Sequence, residues 1–206
     1  MNQLVLSALK NVIYGFAAYV LISWPREFFR CLFYRISVER LSSSNRLFPL
    51  LKKSPIGYID PVGLLTFLFF DFGWTRSPLI DYLKIRRKKM FFFSIYGIVA
   101  SFLLGIIYGM VSRFSNSPIV FNLFYIASKW SFTLSIVSLI PLPPLDGSRI
   151  VLAFLPDKSY EWYIKFNFYG ILFMLGLLVL WILPMIMHPL VIFITNVTNF
   201  IIFGNW

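Results

Sequence analysis

The chain has 206 residues, 59% of them hydrophobic and 13% charged, and its mean hydropathy is +0.78. An ordinary soluble domain carries about 25% charged residues, so the composition excludes a soluble globular protein and predicts a single multi-pass membrane domain over residues 1–206. The net charge of +11, from 19 Lys and Arg against 8 Asp and Glu, is placed between apolar runs, which reads as topology and not as a nucleic-acid partner. One cysteine, Cys31, excludes an internal disulfide and any Cys-rich zinc site, and one histidine, His188, excludes a site built on two imidazoles.

Because a helix needs roughly 20 apolar residues to cross about 30 Å of hydrocarbon, the spans can be counted along the chain. The first covers about 4–24; Lys10 lies inside it and no small-residue cleavage site follows, so it is expected to be retained. Residues 41–60, punctuated by Ser and Pro, are expected to form a small β-hairpin at the membrane surface. The next run, about 62–74, is too short to span. Preceded by Pro61 and interrupted by Asp71 and Gly73, it is expected to be a short re-entrant helix. The basic segment Lys84-Ile85-Arg86-Arg87-Lys88-Lys89 precedes a span at about 91–112, which puts 76–90 on the cytoplasmic side and the N-terminus outside. A span at about 119–141 leads back to a cytoplasmic 142–165. Two more, about 166–187 and 189–205, are separated by His188-Pro189. The predicted fold is therefore all-α, with five membrane helices, one re-entrant helix and a surface hairpin.

Three features carry polar chemistry. Pro141-Leu142-Pro143-Pro144-Leu145-Asp146-Gly147-Ser148-Arg149 breaks a membrane helix with three prolines and sets a carboxylate just past the break. Read alone, it could simply end one helix and cap the next, 148–155, through Asp146. Trp24-Pro25-Arg26-Glu27-Phe28-Phe29-Arg30 puts Arg26 and Arg30 on one helical face, with Glu27 three residues before Arg30; read alone, it could be an Arg-rich cytoplasmic flank. Lys129, near the middle of the 119–141 span, is too deep to reach water and needs a partner, with Asp71, Asp146 or the hydroxyls of Ser128, Ser131 and Thr133 as candidates. Asp60 before Pro61 reads as a helix cap. The sequon Asn196-Val197-Thr198 lies inside a span and is dismissed.

The segment 54–63, Ser-Pro-Ile-Gly-Tyr-Ile-Asp-Pro-Val-Gly, then Phe72-Gly73-Trp74 and the Pro-rich stretch 141–149, resembles the site-2 protease family of intramembrane zinc metalloproteases, in its compact bacterial branch without a PDZ domain. In that branch an Asn-Pro-Leu-x-His-Ile-Asp-Pro-x-Gly stretch and a Gly-Phe-Gly-Trp stretch precede a Gly-Pro-x-x-Asn helix, and an Asn-x-x-Pro-x-Pro-Pro-Leu-Asp-Gly segment follows. The likeness runs from about residue 10 to 180. It implies a zinc held by the two His of a His-Glu-x-x-His helix and by the Asp of Leu-Asp-Gly, with the Glu as general base.

On this chain those positions fall at Arg26, Glu27, Arg30 and Asp146, so both imidazole ligands are arginine. Arginine keeps its proton in a protein and offers no lone pair to a metal. The expectation is thus a vestigial base, Glu27, at vestigial ligand positions Arg26, Arg30 and Asp146, with no intact catalytic set and no metal or other cofactor. The motif helix reads Gly97-Ile98-Val99-Ala100-Ser101, and Ser138 stands for the Asn before the Pro-rich loop. The resemblance makes Ser101, Ser138, Pro141, Pro143, Pro144 and Gly147 candidates for a client cleft.

Two guanidinium groups would replace the +2 of a lost zinc, so Arg26 and Arg30 are expected to form a buried cluster with Glu27 and Asp146. The competing picture turns both arginines to lipid headgroups. The functional expectation is a catalytically inactive relative in a bacterial cytoplasmic membrane that binds or regulates a membrane-embedded client, its partners being the bilayer and a membrane protein. The alternatives are an active protease with rearranged ligands, using Glu27, Asp146 and His188, or a structural or lipid-interacting membrane protein.

Overall fold

A computed structural model describes residues 2–38, 55–77, 87–156 and 159–204. Among them the chain forms seven α-helices, one 3-10 turn and no strand. In order these are α1 (Asn2–Val38), the turn Pro55–Tyr58, α2 (Pro61–Phe70), α3 (Arg87–Arg113), α4 (Pro118–Val137), α5 (Asp146–Phe154), α6 (Ser159–Val179) and α7 (Ile182–Phe203). Four segments among the described residues are long and apolar enough to cross a membrane: Val5–Tyr34 of α1, and α3, α4 and α7. The chain is thus a helical protein with membrane-spanning character.

The sequence predicts five spans; the fourth and fifth, 166–187 and 189–205, are divided differently in the structure, as α6 (Ser159–Val179) and α7 (Ile182–Phe203). The chain turns at Leu180 and Trp181, with Trp181 at φ 62°. The boundary between the two helices therefore falls about seven residues before the expected one at His188-Pro189. His188 and Pro189, expected to separate two spans, lie within α7. Pro184 falls in the first turn of α7, where a backbone N–H has no intrahelical partner to lose.

Helix α1 likewise continues through Pro25 to Val38, past the expected end at residue 24. Arg26, Glu27 and Arg30 are therefore inside a helix and not on a trailing flank. Residues 41–54 of the expected surface hairpin lie outside the described residues. Its Tyr58-Ile59 piece belongs to the 3-10 turn and its exit, not to a strand. The short run is helix α2: the Asp60 carboxylate accepts from the N–H groups of Val62 and Gly63 at 3.0 and 3.1 Å, and Pro61 opens the helix. It stops at Asp71, whose φ is 61°.

Antiparallel α3 and α4 pack through small residues and hydroxyl groups, as membrane helices do where hydrophobicity alone gives no drive. Ser128 and Ser135 on α4 donate to the carbonyls of Gly105 and Ile98 at 2.8 and 3.0 Å, and Ser112 on α3 donates to the Phe121 carbonyl at 3.1 Å. Tyr19 and Ile22 of α1 and Phe67 of α2 close a core with Leu104, Tyr108, Trp130 and Leu134. A second core joins Phe72, Trp74, Val137 and Leu145 to Met174, Leu183 and Met187. The Tyr19 hydroxyl donates to the Trp74 carbonyl at 2.8 Å, so the extended segment after α2 is tied to α1 and delivers Thr75 and Ser77 to the arginines.

Candidate functional site

The interior of α1 presents Arg26, Glu27 and Arg30 to the start of α5. Their side chains are 3%, 0% and 0% exposed, and Asp146 is 3% exposed. Such burial of charge in a membrane helix is tolerable only with near-complete pairing.

Arg26 reaches it. Its Nε donates to Ser101 Oγ at 2.7 Å, Nη1 to Glu27 Oε1 at 2.7 Å and Thr75 Oγ1 at 2.8 Å, and Nη2 to Asp146 Oδ2 at 2.5 Å and Ser138 Oγ at 3.2 Å. All five guanidinium N–H groups are thereby used. Arg30 Nη2 donates to the same Asp146 Oδ2 at 2.5 Å, and its Nη1 donates to Ser77 Oγ. Its guanidinium carbon lies 5.1 Å from the centre of the Phe93 ring, a cation–π distance. Gly97 makes room for it: a Cβ at that position would stand 2.1 Å from Arg30 Nη2.

Asp146 is the hub. Oδ2 takes both α1 arginines, and Oδ1 takes Arg149 Nη1 at 3.1 Å, one helical turn further along α5. Burial pushes its carboxyl up, but Arg30, Arg26 and Arg149 outweigh that and hold it below the usual carboxylate range. Asp146 begins α5 itself and makes no side-chain cap, in contrast to the capping alternative. Glu27 is less complete. Its Oε2 is 3.3 Å from Arg30 Nε, yet neither atom forms a hydrogen bond.

The remaining candidate residues divide by access. Ser101, Ser138 and Gly147 are buried around the cluster, both hydroxyls being bonded to Arg26. Gly147 N–H donates to the Ser138 carbonyl at 2.6 Å, and a Cβ there would meet the Leu139 and Ile140 carbonyls at 2.4 Å. Pro143 is buried against Gly170 of α6, Pro144 lines a space of about 10 Å³ beside Arg26, and Pro141 is exposed. Sequence reasoning missed Thr75 and Ser77, which no motif marks, and the pairing of Arg149, which the spacing of three from Asp146 could have suggested. Lys129 stands apart: its Nζ lies 2.8 Å from Asp71 Oδ1, and among the described residues it makes no ion pair with Asp146.

A zinc site of the type the resemblance implies does not fit these residues. The two positions that would supply imidazoles hold guanidinium groups, which donate hydrogen bonds to the carboxylates and have no lone pair for a metal. Among the described residues no three His, Cys, Asp or Glu side chains converge as a metal-binding group. What the arrangement does chemically is neutralise two buried carboxylates and fix α5 to α1.

Over 141 residues the chain is 30% identical to a protein of Bacillus subtilis (strain 168) named "Putative zinc metalloprotease YwhC". The match covers 63% of this chain and 64% of that relative, so the chain spans less than two thirds of the protein it matches. No protein-family model and no solved structure matches the chain. The chain thus has a distant metalloprotease-like relative.

Proposed function

We propose that this protein is a catalytically inactive, site-2-protease-like membrane protein that binds or regulates a membrane-embedded client. One observation carries the reading: the Arg26 guanidinium bridges Glu27 and Asp146, with 2.7 and 2.5 Å contacts, where the resemblance calls for a metal. The metalloprotease-like relative supports the family, and the membrane-spanning helices support a client met within the bilayer. The alternative of an active enzyme with reassigned ligands would draw His188 to the cluster, but His188 lies on α7 in a pocket with Asp71.

In this reading the arginines preserve the scaffold while removing the chemistry, and the client helix packs beside the exposed Pro141 face of the Pro-rich loop. The test is a photo-crosslinking residue at position 141 in native membranes, paired with a cleavage assay on the captured protein. A discrete membrane-protein adduct, uncleaved with or without added zinc, supports the reading. Zinc-dependent cleavage that is lost on Glu27→Gln, or no adduct above that of a probe on the far face of α3, overturns it.

A further inference from the structure

A second polar site, unrelated to the arginine cluster, opens where the end of α2 faces α7. The cavity there is about 580 Å³ and is walled by Phe69, Phe70 and Trp181, with Asp71, His188 and Asn196 as polar groups. Its Asp71 pairs with Lys129, which stands midway along the candidate span α4. Polar side chains at that depth are costly unless satisfied.

Three such groups open to the cavity: Asp71, which gives Oδ1 to Lys129 Nζ at 2.8 Å and to Trp130 Nε1 at 2.9 Å and is still 45% exposed, and the exposed side chains of His188 and Asn196. The two non-glycine residues with positive φ among the described residues, Asp71 and Trp181, both line this cavity. Such strained backbone collects at ligand clamps.

We infer that this cavity binds a neutral, membrane-soluble molecule with a flat oxygen-bearing ring on an apolar tail, of the quinone or quinol class. The Asp71–Lys129 pair cancels its own charge, so nothing in the cavity selects an ion. The aromatic walls suit a ring: Phe70 and Trp181 already stand edge to face at 5.1 Å. Asp71 Oδ2 accepts from a ring hydroxyl, Asn196 donates to a ring oxygen, and His188 does either. The volume argues against a client helix, because one turn of a helix about 10–12 Å wide and 5.4 Å long already fills it. It is within the usual range of roughly 300–1,000 Å³ for small-molecule sites.

The test is equilibrium binding of decyl-chain quinol and quinone to the full chain in lipid nanodiscs, against an alkane of matched length without the ring. His188→Ala and Asn196→Ala remove exposed side chains and leave folding intact, so they keep the inference testable even where Asp71→Asn disturbs the Lys129 pair. Saturable one-site binding, weakened about tenfold or more by either α7 variant, is the expected result. No saturable binding, equal binding of the alkane, or binding that neither α7 variant changes would overturn it. The outcome is independent of whether the arginine cluster is catalytic.

Discussion

The molecule holds two sets of charges inside its helical body, and they are finished to different degrees. At the arginine cluster every Arg26 donor is matched and Asp146 receives three guanidinium groups. At the Asp71–Lys129 pair the carboxylate is 45% exposed, beside a cavity with polar groups to spare. The contrast separates a structural use of buried charge from a receptive one: the cluster is closed off from outside, with only Glu27 Oε2 and Arg30 Nε left without a hydrogen bond, whereas the half-exposed pair leaves capacity for a ligand.

The largest effect that would sharpen this contrast is at the hub. Asp146→Ala removes the one carboxylate that Arg26, Arg30 and Arg149 share and should destabilise the protein by about 3–5 kcal/mol, read as a loss of unfolding temperature in lipid. Arg30→Met combined with Asp146→Leu should be milder than Asp146→Ala alone; additive losses in the double-mutant cycle would contradict a coupled cluster.

Acid should act on the same hub. A carboxyl held low in the folded protein contributes stability above its ordinary pKa of about 4, and that contribution is lost as pH falls through the depressed folded value. Unfolding followed from neutral pH down into that range should show a drop that Asp146→Asn removes. Gly97→Ala would drive a methyl group into Arg30 and should cost about 1–3 kcal/mol, measurable by the same melt; a neutral result would place Arg30 elsewhere.

Effects at the second pair should be smaller. With Asp71 nearly half exposed, Asp71→Asn should cost about 1 kcal/mol or less. His188→Ala should change stability by less than about 0.5 kcal/mol, since it touches only the open cavity. A large loss from either would mean that the cavity is part of the packed interior.

Much of this was legible in the chain. The spacing of Arg26, Glu27 and Arg30 and the place of Asp146 after the prolines mark them as polar groups, but read alone they fit a basic flank and a helix cap; the family resemblance is what groups them into one cluster. Asp71 was among the partners the sequence allowed Lys129, but nothing local could choose it over Asp146. Thr75 and Ser77 reach the arginines across 49 and 47 residues, a closure made by the Tyr19 to Trp74 tie and not by any motif. The turn at Leu180-Trp181 was hidden because a left-handed Trp is uncommon and carries no Gly or Pro signal, while Pro189, which does carry one, sits in an unbroken helix. Pattern reads elements whose causes are local and misses breaks imposed by packing.

The central claim is that guanidinium groups, not a metal, neutralise Glu27 and Asp146. Its most direct test is the zinc content of the purified protein by mass spectrometry, with Glu27→Gln/Asp146→Asn as control and Arg26→His/Arg30→His as comparison. The account predicts less than about a tenth of an equivalent in the natural chain and the control, and a rise towards about one equivalent when both imidazoles are supplied. Near one equivalent in the natural chain, lost in the control, would contradict it.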